Sequence, residues 1–500
     1  MGSSTPASSS EAMSWESGPG SGGRERLIVG VDFGTTFSGV AAAHASAPDD
    51  IEIIKTWPGG SSDKVPSEIS YEMAGDGAGQ ASIRWGFQAK ADSSRIRCIK
   101  LFLDRTLRLP FYVDNYGTAA LLQRCNKQVV DVVSDYLTQL QKHTGAILAR
   151  RYGEAFMASA QIDYVLTCPA VWSDAAKNTT LLAAERAGMG RHSEIQMISE
   201  PEAAAVYTLN AIQANCLKVG DNIIVCDAGG GTVDLISYKI LSLRPLRVEE
   251  SAVGTGGLCG SAFLNYGFEA QVRRKLGAEL LHEMKTSRRG DSWQTALNYF
   301  ENVKRSFSDD YEQEWLVPFP RLPADEECGR DAGCLSLTAS DMQAIFDPVV
   351  KGVCDLVEGQ VCKMRRGGGV VSAIVLVGGF GQSDYLYRRL KDHFGSAAPP
   401  PYSERAEWAT SLDEGPIEVL QPIYAWTAVV RGAVLRGLQQ GSMVVSRRAR
   451  MHYGTSYATT YDEAVHPAGQ QYWSQLWERW MIGDRMQWLV AKVSAPSAIC

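Results

Sequence analysis

Two glycine- and threonine-rich turns carry the residue types that bind polyphosphates. They are Asp32-Phe33-Gly34-Thr35-Thr36 and Asp227-Ala228-Gly229-Gly230-Gly231-Thr232. Glycine lets the backbone approach a phosphate closely, the backbone N–H groups form a concave set of donors, and the threonine hydroxyls add further donors. Phosphate repels a carboxylate, but an aspartate can hold the water shell of a Mg²⁺ ion that bridges phosphate oxygens. One such turn could equally be a structural turn with a capping aspartate, whereas two copies favour a phosphate clamp.

The segments that precede these turns are apolar runs typical of buried strands. Leu27–Val31 precedes the first turn and Ile223–Cys226 precedes the second. Ile162–Cys168 and Ser372–Val377 are similar, and Gly378-Gly379 closes the latter. Short continuous apolar runs that end at turn residues predict central strands of a sheet buried on both faces.

Between these runs, Asn126–Gln141 and Thr295–Ser306 carry apolar residues at helical spacing. Strands that alternate with helices favour an α/β fold, in which ligands bind at the carboxyl ends of the strands. The sequence of strand, aspartate, glycine and threonine occurs twice, far apart in the chain. This repeat predicts two duplicated lobes whose turns face each other across a cleft.

Composition limits the class of protein. The 500 residues are 45% hydrophobic and 21% charged, which is typical of a globular protein but too long for one compact core. The formal charge of −7 gives no broad basic field, so we expect no nucleic-acid partner. Met1–Gly23 is rich in serine and glycine and lacks the apolar core of a signal peptide. The odd number of cysteines, eleven, also argues against a secreted, disulfide-bonded protein. No apolar run is long enough to span a bilayer. We therefore expect a cytoplasmic protein that does not contact membranes.

Three motifs in order resemble those of the 70-kDa heat-shock protein family. Val31–Ser38 resembles the first phosphate motif of that family, Val225–Asp234 resembles its second, and Ile374–Gly379 resembles its adenosine motif. The resemblance spans roughly Arg26–Leu438 and is closest to a divergent, fungal-type branch of the family.

Four weaker matches lie between these motifs. They are similar, in order, to the region of the phosphate-facing lysine, the strand with the switch proline, the connecting helix with a nucleotide-facing glutamate, and the helix that contacts adenine and ribose. The matching segments are Trp85–Lys90 with Lys100, Val165–Ala170, Ser199–Ala205 and Glu301–Ser308.

The resemblance implies a two-lobed actin-like ATPase fold, made of duplicated ribonuclease-H-like lobes with a nucleotide cleft between them. The expected organisation is a Ser/Gly-rich disordered leader at 1–24, lobe I at 25–218, lobe II at 219–440 and a C-terminal extension at 441–500. It also implies MgATP (or MgADP) binding, slow ATP hydrolysis, nucleotide-driven lobe closure and a monomer with a client protein or co-chaperone as partner.

The resemblance also implies roles for individual residues. The expected phosphate-binding residues are Gly34, Thr35, Thr36, Phe37, Gly229, Gly230, Gly231 and Thr232. The expected nucleoside-binding residues are Glu301, Lys304, Arg305, Ser308, Gly378 and Gly379. Asp32 and Asp227 would hold Mg²⁺ through water. The expected catalytic residues, which act by positioning and electrostatics, are Lys100, Glu200, Asp227, Thr232 and Asp234.

Simpler interpretations exist for several of these residues. Lys100 lies in an apolar stretch, where a lysine is often at the surface with its stem on apolar neighbours. Glu200 before Pro201 could be a helix-start carboxylate. Glu301, Lys304 and Arg305 could be part of a solvated helix face that makes ordinary intrahelical pairs.

Two residues depart from the family pattern on the nucleoside side. Gln382 stands where the family has an arginine that stacks on the base, and Trp426 stands where the common chaperones carry an aspartate. These departures favour, as an alternative, a nucleotide-dependent scaffold that barely hydrolyses ATP. A small-metabolite kinase of the same superfamily is a second alternative, although no additional base for an acceptor is evident.

The segment after Gly437 has no Leu/Asp-rich linker, and a complete β-sandwich substrate domain is not expected in the residues that follow. The spacing of Trp473, Trp477 and Trp480 fits one helical face. A partner groove could bind this face, or it could pack on the ATPase body or belong to an incomplete domain. The basic cluster of Arg447, Arg448 and Arg450 is expected to be solvated.

Overall fold

The computed structural model describes the ranges 25–72, 82–89, 94–110, 113–211, 217–286, 291–309, 313–325, 330–331, 333–395, 416–439, 441 and 443–492. The leader expected at 1–24 lies outside these ranges, as does Lys90.

The strands, in chain order, are β1 (Arg26–Asp32), β2 (Phe37–His44), β3 (Glu52–Ile53), β4 (Thr56–Trp57), β5 (Gly60–Ser61), β6 (Val65–Pro66), β7 (Ile69–Glu72), β8 (Ser82–Trp85), β9 (Gln161–Cys168), β10 (Gln196–Ser199), β11 (Asn222–Ala228), β12 (Val233–Leu243), β13 (Leu246–Gly257), β14 (Trp315–Pro318), β15 (Arg330–Asp331), β16 (Cys334–Leu337), β17 (Val371–Val377), β18 (Glu418–Leu420), β19 (Val444–Ser446), β20 (Tyr453–Thr460), β21 (Gln471–Ser474) and β22 (Arg479–Val490).

The α-helices are α1 (Asn115–Arg124), α2 (Val129–Tyr152), α3 (Glu154–Ser159), α4 (Asp174–Arg186), α5 (Glu200–Ala211), α6 (Ala262–Leu276), α7 (Ala278–Thr286), α8 (Asp291–Ser306), α9 (Ala339–Arg366), α10 (Asp384–Phe394) and α11 (Ala428–Leu438). The helices predicted from periodicity are present, as α2 and α8. Their starts and ends differ from the prediction by a few residues or, at the end of α2, by about three turns.

Two large sheets repeat one topology. The first sheet has the order β10-β9-β1-β2-β3, and the second has the order β18-β17-β11-β12-β13-β19. In each sheet the central strand, β1 or β11, pairs with the next strand in antiparallel fashion and with a later strand, β9 or β17, in parallel fashion. The duplication predicted from the repeated turn is confirmed, and it places the two turns at corresponding ends of β1 and β11.

The sheets and helices form stacked layers. Alternate residues of β1 point to opposite faces, so Val29 packs in a core with α2 and α4, whereas Ile28 packs in a core with α5 and α11. In β11 the same alternation places Ile224 in a core with α9 and α10, and Val225 in the core with α5 and α11. Because both faces are covered, the strands are continuously apolar, as the sequence indicated.

The layer between the two sheets comes from both halves of the chain. Helix α5 follows the first sheet, whereas α11 comes from the segment 219–440 that was predicted to be lobe II. Even so, α11 packs against β1, β2, β9 and α5. The core that contains α5 and α11 also includes residues of both sheets. A change in the position of this layer therefore acts on both halves of the molecule.

The arginine cluster that follows α11 is solvated only in part: Arg447 and Arg448 are exposed as predicted, but all three arginines also bond to the body of the protein. Arg447 Nη2 lies 2.6 Å from Glu202 Oε1, and the side chain of Glu202 is buried at the start of α5. The backbone N–H of Arg448 donates to Glu250 Oε2 at 2.9 Å, and Arg450 donates to the carbonyl of Ala170. Buried carboxylates need such partners, because an unpaired charge in the interior is costly.

The predicted helical face is wrong: Trp473 and Trp480 lie on strands, and Trp477 lies in the turn between them. β20, β22 and β21 form a separate antiparallel sheet in which Trp473 and Trp480 are direct cross-strand partners. Their rings meet edge to face with centroids 5.7 Å apart. The helical spacing was misleading because a hairpin between the two strands produces it by coincidence. Both tryptophans are about half exposed, so packing on the ATPase body is not observed for them.

No helix within the described ranges is long and apolar enough to cross a membrane.

Candidate functional site

The two glycine- and threonine-rich turns lie against each other. A Cβ atom on Gly230 would lie 2.8 Å from Cγ2 of Thr36 and closer still to its Oγ1. A Cβ atom on Gly231 would lie 2.9 Å from Cγ2 of Thr35. Such distances leave room only for glycine. The structure therefore brings the two predicted phosphate turns together face to face at the ends of β1 and β11.

The second turn is held from behind by the start of α6. The backbone N–H groups of Ser261 and Ala262 donate to the carbonyls of Gly229 and Gly230 at 3.1 and 2.8 Å, and Gly229 N–H donates to Thr232 O at 2.9 Å. These bonds fix the carbonyl oxygens of the turn on the α6 side. A backbone whose carbonyls are held on one side presents its N–H groups on the other, which is the arrangement of an anion-binding nest.

Four buried carboxylates lie beside the turns. Asp32 ends β1, Asp227 is near the end of β11, Asp234 lies on β12, and Glu200 begins α5; each is less than a tenth exposed. Burial raises the pKa of Asp227 well above its usual range, and the charges of Glu200, Asp32 and Asp234 raise it further. Burial, with the charges of Asp32 and Asp234, likewise raises the pKa of Glu200 to about 7. The carboxylates therefore repel one another, and a cation would relieve this repulsion.

This donor set fits Mg²⁺ held through water. Carboxylate oxygens are the ligands that Mg²⁺ prefers, and Mg²⁺ usually keeps several waters. Within the described ranges, no three acidic, histidine or cysteine side chains are close enough to enclose a metal directly. Moreover, Oδ1 of Asp234 is buried without a hydrogen-bond partner among the described residues. An orphaned buried carboxylate oxygen is expected where an ion or its water shell belongs.

Lys100 is buried, so the interpretation of this residue as a surface lysine is wrong. It lies on a short 3-10 helix, Ile99–Leu103, and its Nζ donates to Oε1 of Glu200. Burial alone would lower the pKa of Lys100, but the charges of Glu200 and Asp32 outweigh that effect and raise it. Its ammonium also lies 5.5 Å from the ring of Trp172. Lys100 therefore remains charged in the cleft, where it offsets one carboxylate.

A second buried lysine was missed by sequence reasoning. Lys64 Nζ donates to Oδ2 of Asp32 at 2.6 Å, and both side chains are less than a tenth exposed. The other oxygen of Asp32 accepts a hydrogen bond from Thr167 Oγ1 at 3.1 Å. Lys64 follows the polar run Ser61–Asp63, which is typical of a solvated loop. No local signal could have shown that the lysine turns inward.

Three of the residues expected to bind the nucleoside, Glu301, Lys304 and Arg305, lie on α8. Lys304 is buried, and its Nζ lies 2.8 Å from Glu301 and 3.0 Å from Oδ1 of Asn265. Nδ2 of Asn265 in turn donates to Glu301. The solvated-face interpretation is thus wrong for Lys304, although Arg305 is exposed. Ser308 follows α8, and its hydroxyl is buried without a partner within the described ranges. A buried hydroxyl without a protein partner fits a group that bonds to a bound ligand.

Trp426 lies on the same side of the cleft. The guanidinium of Arg305 is 5.1 Å from the ring of Trp426 and 5.7 Å from that of Phe37, and these two rings meet edge to face at 6.0 Å. A Cβ atom on Gly379 would lie 3.2 Å from the Trp426 ring. Phe37 therefore contacts the nucleoside-side residues as well as the first turn. Planar groups with one cation form a surface on which a base can stack.

The predicted third turn also reaches the second. Gly378 has a φ of 92°, which favours glycine, and a Cβ atom there would collide with Oδ1 of Asp227. Gln382 lies on the adjacent 3-10 helix, Phe380–Gln382, and its side chain is exposed. The three sequence motifs thus converge on one cleft.

Comparison with known proteins identifies relatives along most of the chain. The sequence model of the family described as Hsp70 protein matches residues 28–400. Heat shock 70 kDa protein 12A from Homo sapiens is 24% identical over 92% of this chain and 75% of its own length. Heat shock 70 kDa protein 12B from Homo sapiens is 22% identical over 92% of this chain and 76% of its own. A chaperone protein HscA homolog from Pseudoalteromonas atlantica is 27% identical over 74% of this chain and 55% of its own.

Proposed function

The chain belongs to the Hsp70 protein family and has the two-lobed actin-like ATPase fold, and from this premise we propose that it binds MgATP in the cleft and hydrolyses it slowly. Members of this family generally bind ATP or ADP with Mg²⁺ and are generally ATPases. The observation that carries the proposal is the contact between the two phosphate turns, with four buried carboxylates and two buried lysines beside it.

In this proposal the turns hold the phosphates. The N–H groups of Gly230 and Gly231, the hydroxyl of Thr232 and the N–H groups of the first turn at Gly34–Thr36 donate to phosphate oxygens. Gly229 shapes the turn, because its own N–H already donates to Thr232 O. Mg²⁺ held through water by Asp227 and Asp32 would neutralise phosphate charge. Lys100 stabilises charge on the transferring phosphoryl group.

Glu200 orients the attacking water in this proposal, together with Asp234. The pKa of Glu200 is raised to about 7, which suits a carboxylate that accepts a proton near neutral pH. Its bond from Lys100 fixes the position of the carboxylate. Slow turnover is expected because both oxygens of Asp32 and one of Glu200 are already bonded to protein groups.

The nucleoside occupies the other side of the cleft in this proposal. Glu301, Lys304 and Ser308 contact the ribose and base edge, while Arg305 and the ring of Trp426 stack on the base. Trp426 would supply a stacking surface where the family arginine is replaced by Gln382.

The test compares Asp227→Asn with wild type in calorimetric MgATP binding and in single-turnover hydrolysis. Loss of the buried carboxylate beside the turns is expected to lower the rate by about a hundredfold or more, the scale seen when a charge-positioning group is lost. Asp221→Asn is the matched control, because Asp221 lies just before the opposite end of β11, where it accepts hydrogen bonds from Ser372 and Lys218. Equal turnover of wild type and Asp227→Asn would contradict the proposal.

A nucleotide-dependent scaffold is the second candidate function. It is favoured by Trp426 and by the two hydrogen bonds that occupy the oxygens of Asp32. It predicts MgATP binding without measurable turnover in the wild type. In either case we propose a chaperone-related role with a client protein or co-chaperone, in which lobe closure is relayed by Arg447, Arg448 and Arg450. These residues connect the C-terminal sheet to α5, β13 and Ala170.

A further inference from the structure

The carboxylate of Asp32 is enclosed by the protein in a way that the proposed metal role does not require. Asp32 pairs across the β1–β2 hairpin with Gly39. A Cβ atom on Gly39 would lie 3.2 Å from Cγ and 3.4 Å from Cε of Lys64. The missing side chain of Gly39 thus leaves the channel through which the Lys64 stem reaches Asp32.

Lys64 is also fixed by the backbone that follows it. Val65 and Pro66 form β6, which pairs with Ser38 and Phe37 at the start of β2. The Ser67 N–H donates to the carbonyl of Thr36 at 2.8 Å. The segment therefore runs directly beside the first phosphate turn, and a movement of that turn would move Lys64.

The charges of the cleft indicate what Lys64 does. Four carboxylates, Asp32, Asp227, Asp234 and Glu200, face two ammonium groups, Lys64 and Lys100. When all are ionised, two negative charges remain, the number that one divalent cation neutralises. Lys64 compensates Asp32, Lys100 compensates Glu200, and the two aspartates at β11 and β12 form no ion pair with any described residue.

We propose that Lys64 is a resident counter-cation of the cleft: it holds Asp32 in the nucleotide-free protein and confines Mg²⁺ to the side of Asp227 and Asp234. This inference rests on the proposed MgATP site for the location of the metal. Lys64 acts here through Asp32 as a positioning residue. Without its ammonium, Asp32 would become a further strong attractor for a divalent cation.

The experiment measures thermal unfolding of the full-length, nucleotide-free protein in EDTA and across a Mg²⁺ titration. Lys64→Met is expected to lower the melting temperature in EDTA, because Asp32 is then buried without its partner. Mg²⁺ alone is expected to restore part of that loss, at concentrations about tenfold lower than those that stabilise wild type, since an ammonium beside the site no longer repels it. Lys64→Arg keeps the charge and should respond to Mg²⁺ as wild type does.

Two further variants separate charge from packing. Lys64→Met with Asp32→Asn removes both charges, so it should regain stability in EDTA and lose the enhanced Mg²⁺ response. Lys55→Met is the surface control, because Lys55 is exposed and pairs with Asp63; it should match wild type. If Lys64→Met does not fold, a folded double variant supports the counter-cation role, whereas an unfolded double variant shows a packing role and overturns it.

Equal Mg²⁺ responses of wild type and Lys64→Met would also overturn the proposal. Calorimetry with MgATP on wild type distinguishes this failure from failure of the proposed function. A wild-type protein that binds no nucleotide refutes the MgATP site, while a stronger Mg²⁺ response of Lys64→Met would still support the pairing of Lys64 with Asp32.

Discussion

The two phosphate turns occupy equivalent positions in the backbone, but the side chains beside their aspartates carry opposite charges. Each follows the central strand of its sheet and opens an antiparallel hairpin. Asp32 pairs across its hairpin with Gly39, whereas Asp227 pairs with Asp234. Cross-strand partners share one face of a sheet. The glycine admits a lysine stem beside Asp32, and the aspartate places a second carboxylate beside Asp227.

Duplication therefore sets the same backbone geometry in both halves, whereas single positions set the charge of each half. In one half of the cleft, the ammonium of Lys64 neutralises the carboxylate of Asp32. In the other half, burial raises the pKa values of Asp227 and Asp234, and the neighbouring carboxylates raise that of Asp227 further. A cation would offset this unpaired negative charge. Under the proposal above, Mg²⁺ in the nucleotide-free protein would lie beside Asp227 and Asp234, and Lys64 would be the resident cation beside Asp32.

The largest expected effect comes from separating the two turns. Gly230→Ala places a methyl group against both Oγ1 and Cγ2 of Thr36, so rotation of the threonine side chain does not relieve the clash. Overpacking of this kind costs about 1–3 kcal/mol of stability, and MgATP affinity should fall by tenfold or more because the two halves no longer meet. Calorimetric titration and thermal unfolding measure the two effects.

Gly145→Ala is the control for Gly230→Ala. Gly145 lies within α2, and a Cβ atom there would meet nothing within 4 Å. The change should stabilise the protein by about 0.5–1 kcal/mol without altering nucleotide affinity. Unchanged affinity in Gly230→Ala would show that contact between the turns is not needed for binding.

The dependence of stability on pH tests the charges of the cleft. The pKa of Glu200 is raised from 4.5 to about 7 in the folded protein. Between these two pH values the folded state keeps the Glu200 proton, whereas the unfolded state loses it. The free energy of unfolding is therefore highest below pH 4.5 and falls as the pH rises to about 7. The loss amounts to about 3 kcal/mol for a shift of this size.

Glu200→Gln isolates this contribution, because glutamine cannot ionise and its oxygen can still accept the Lys100 bond. Denaturant unfolding of the nucleotide-free protein in EDTA between pH 4.5 and 8 gives both stability curves. Wild type should lose stability relative to Glu200→Gln as pH rises through this window. Parallel curves would show that Glu200 is not the buried, repelled carboxylate described above.

The sequence was sufficient to predict the central strands β1, β9, β11 and β17 and the turns that follow β1 and β11, because these depend on local patterns. Apolar runs that end in aspartate and glycine are visible without knowledge of the fold. The duplication followed from the repeated pattern, and the positions of Lys100 and Glu200 in the cleft followed from the family resemblance rather than from any local property.

Other features depend on pairs distant in the sequence and were not predictable. Lys64 and Asp32 are separated by 32 positions, and the room for the lysine comes from Gly39. Arg447 meets Glu202 across 245 positions, so its neighbours indicated only a solvated cluster. The helical spacing of Trp473 and Trp480 was ambiguous because a hairpin can place such residues opposite one another.

The smallest expected effect tests the nucleoside side of the cleft through Ser308→Ala. The Ser308 hydroxyl is buried without a partner among the described residues, so its removal should leave the nucleotide-free protein unchanged or stabilise it slightly. If the hydroxyl bonds to the nucleoside, MgATP affinity should fall by about 1 kcal/mol, or roughly fivefold. Opposite signs of the two changes, measured by thermal unfolding and calorimetry, are characteristic of a group kept for binding.

Ser306→Ala is the matched control, because the Ser306 hydroxyl already donates to Val303 within α8. A loss of affinity in both variants would point to a disturbed helix end, and no loss in Ser308→Ala would place the nucleoside elsewhere.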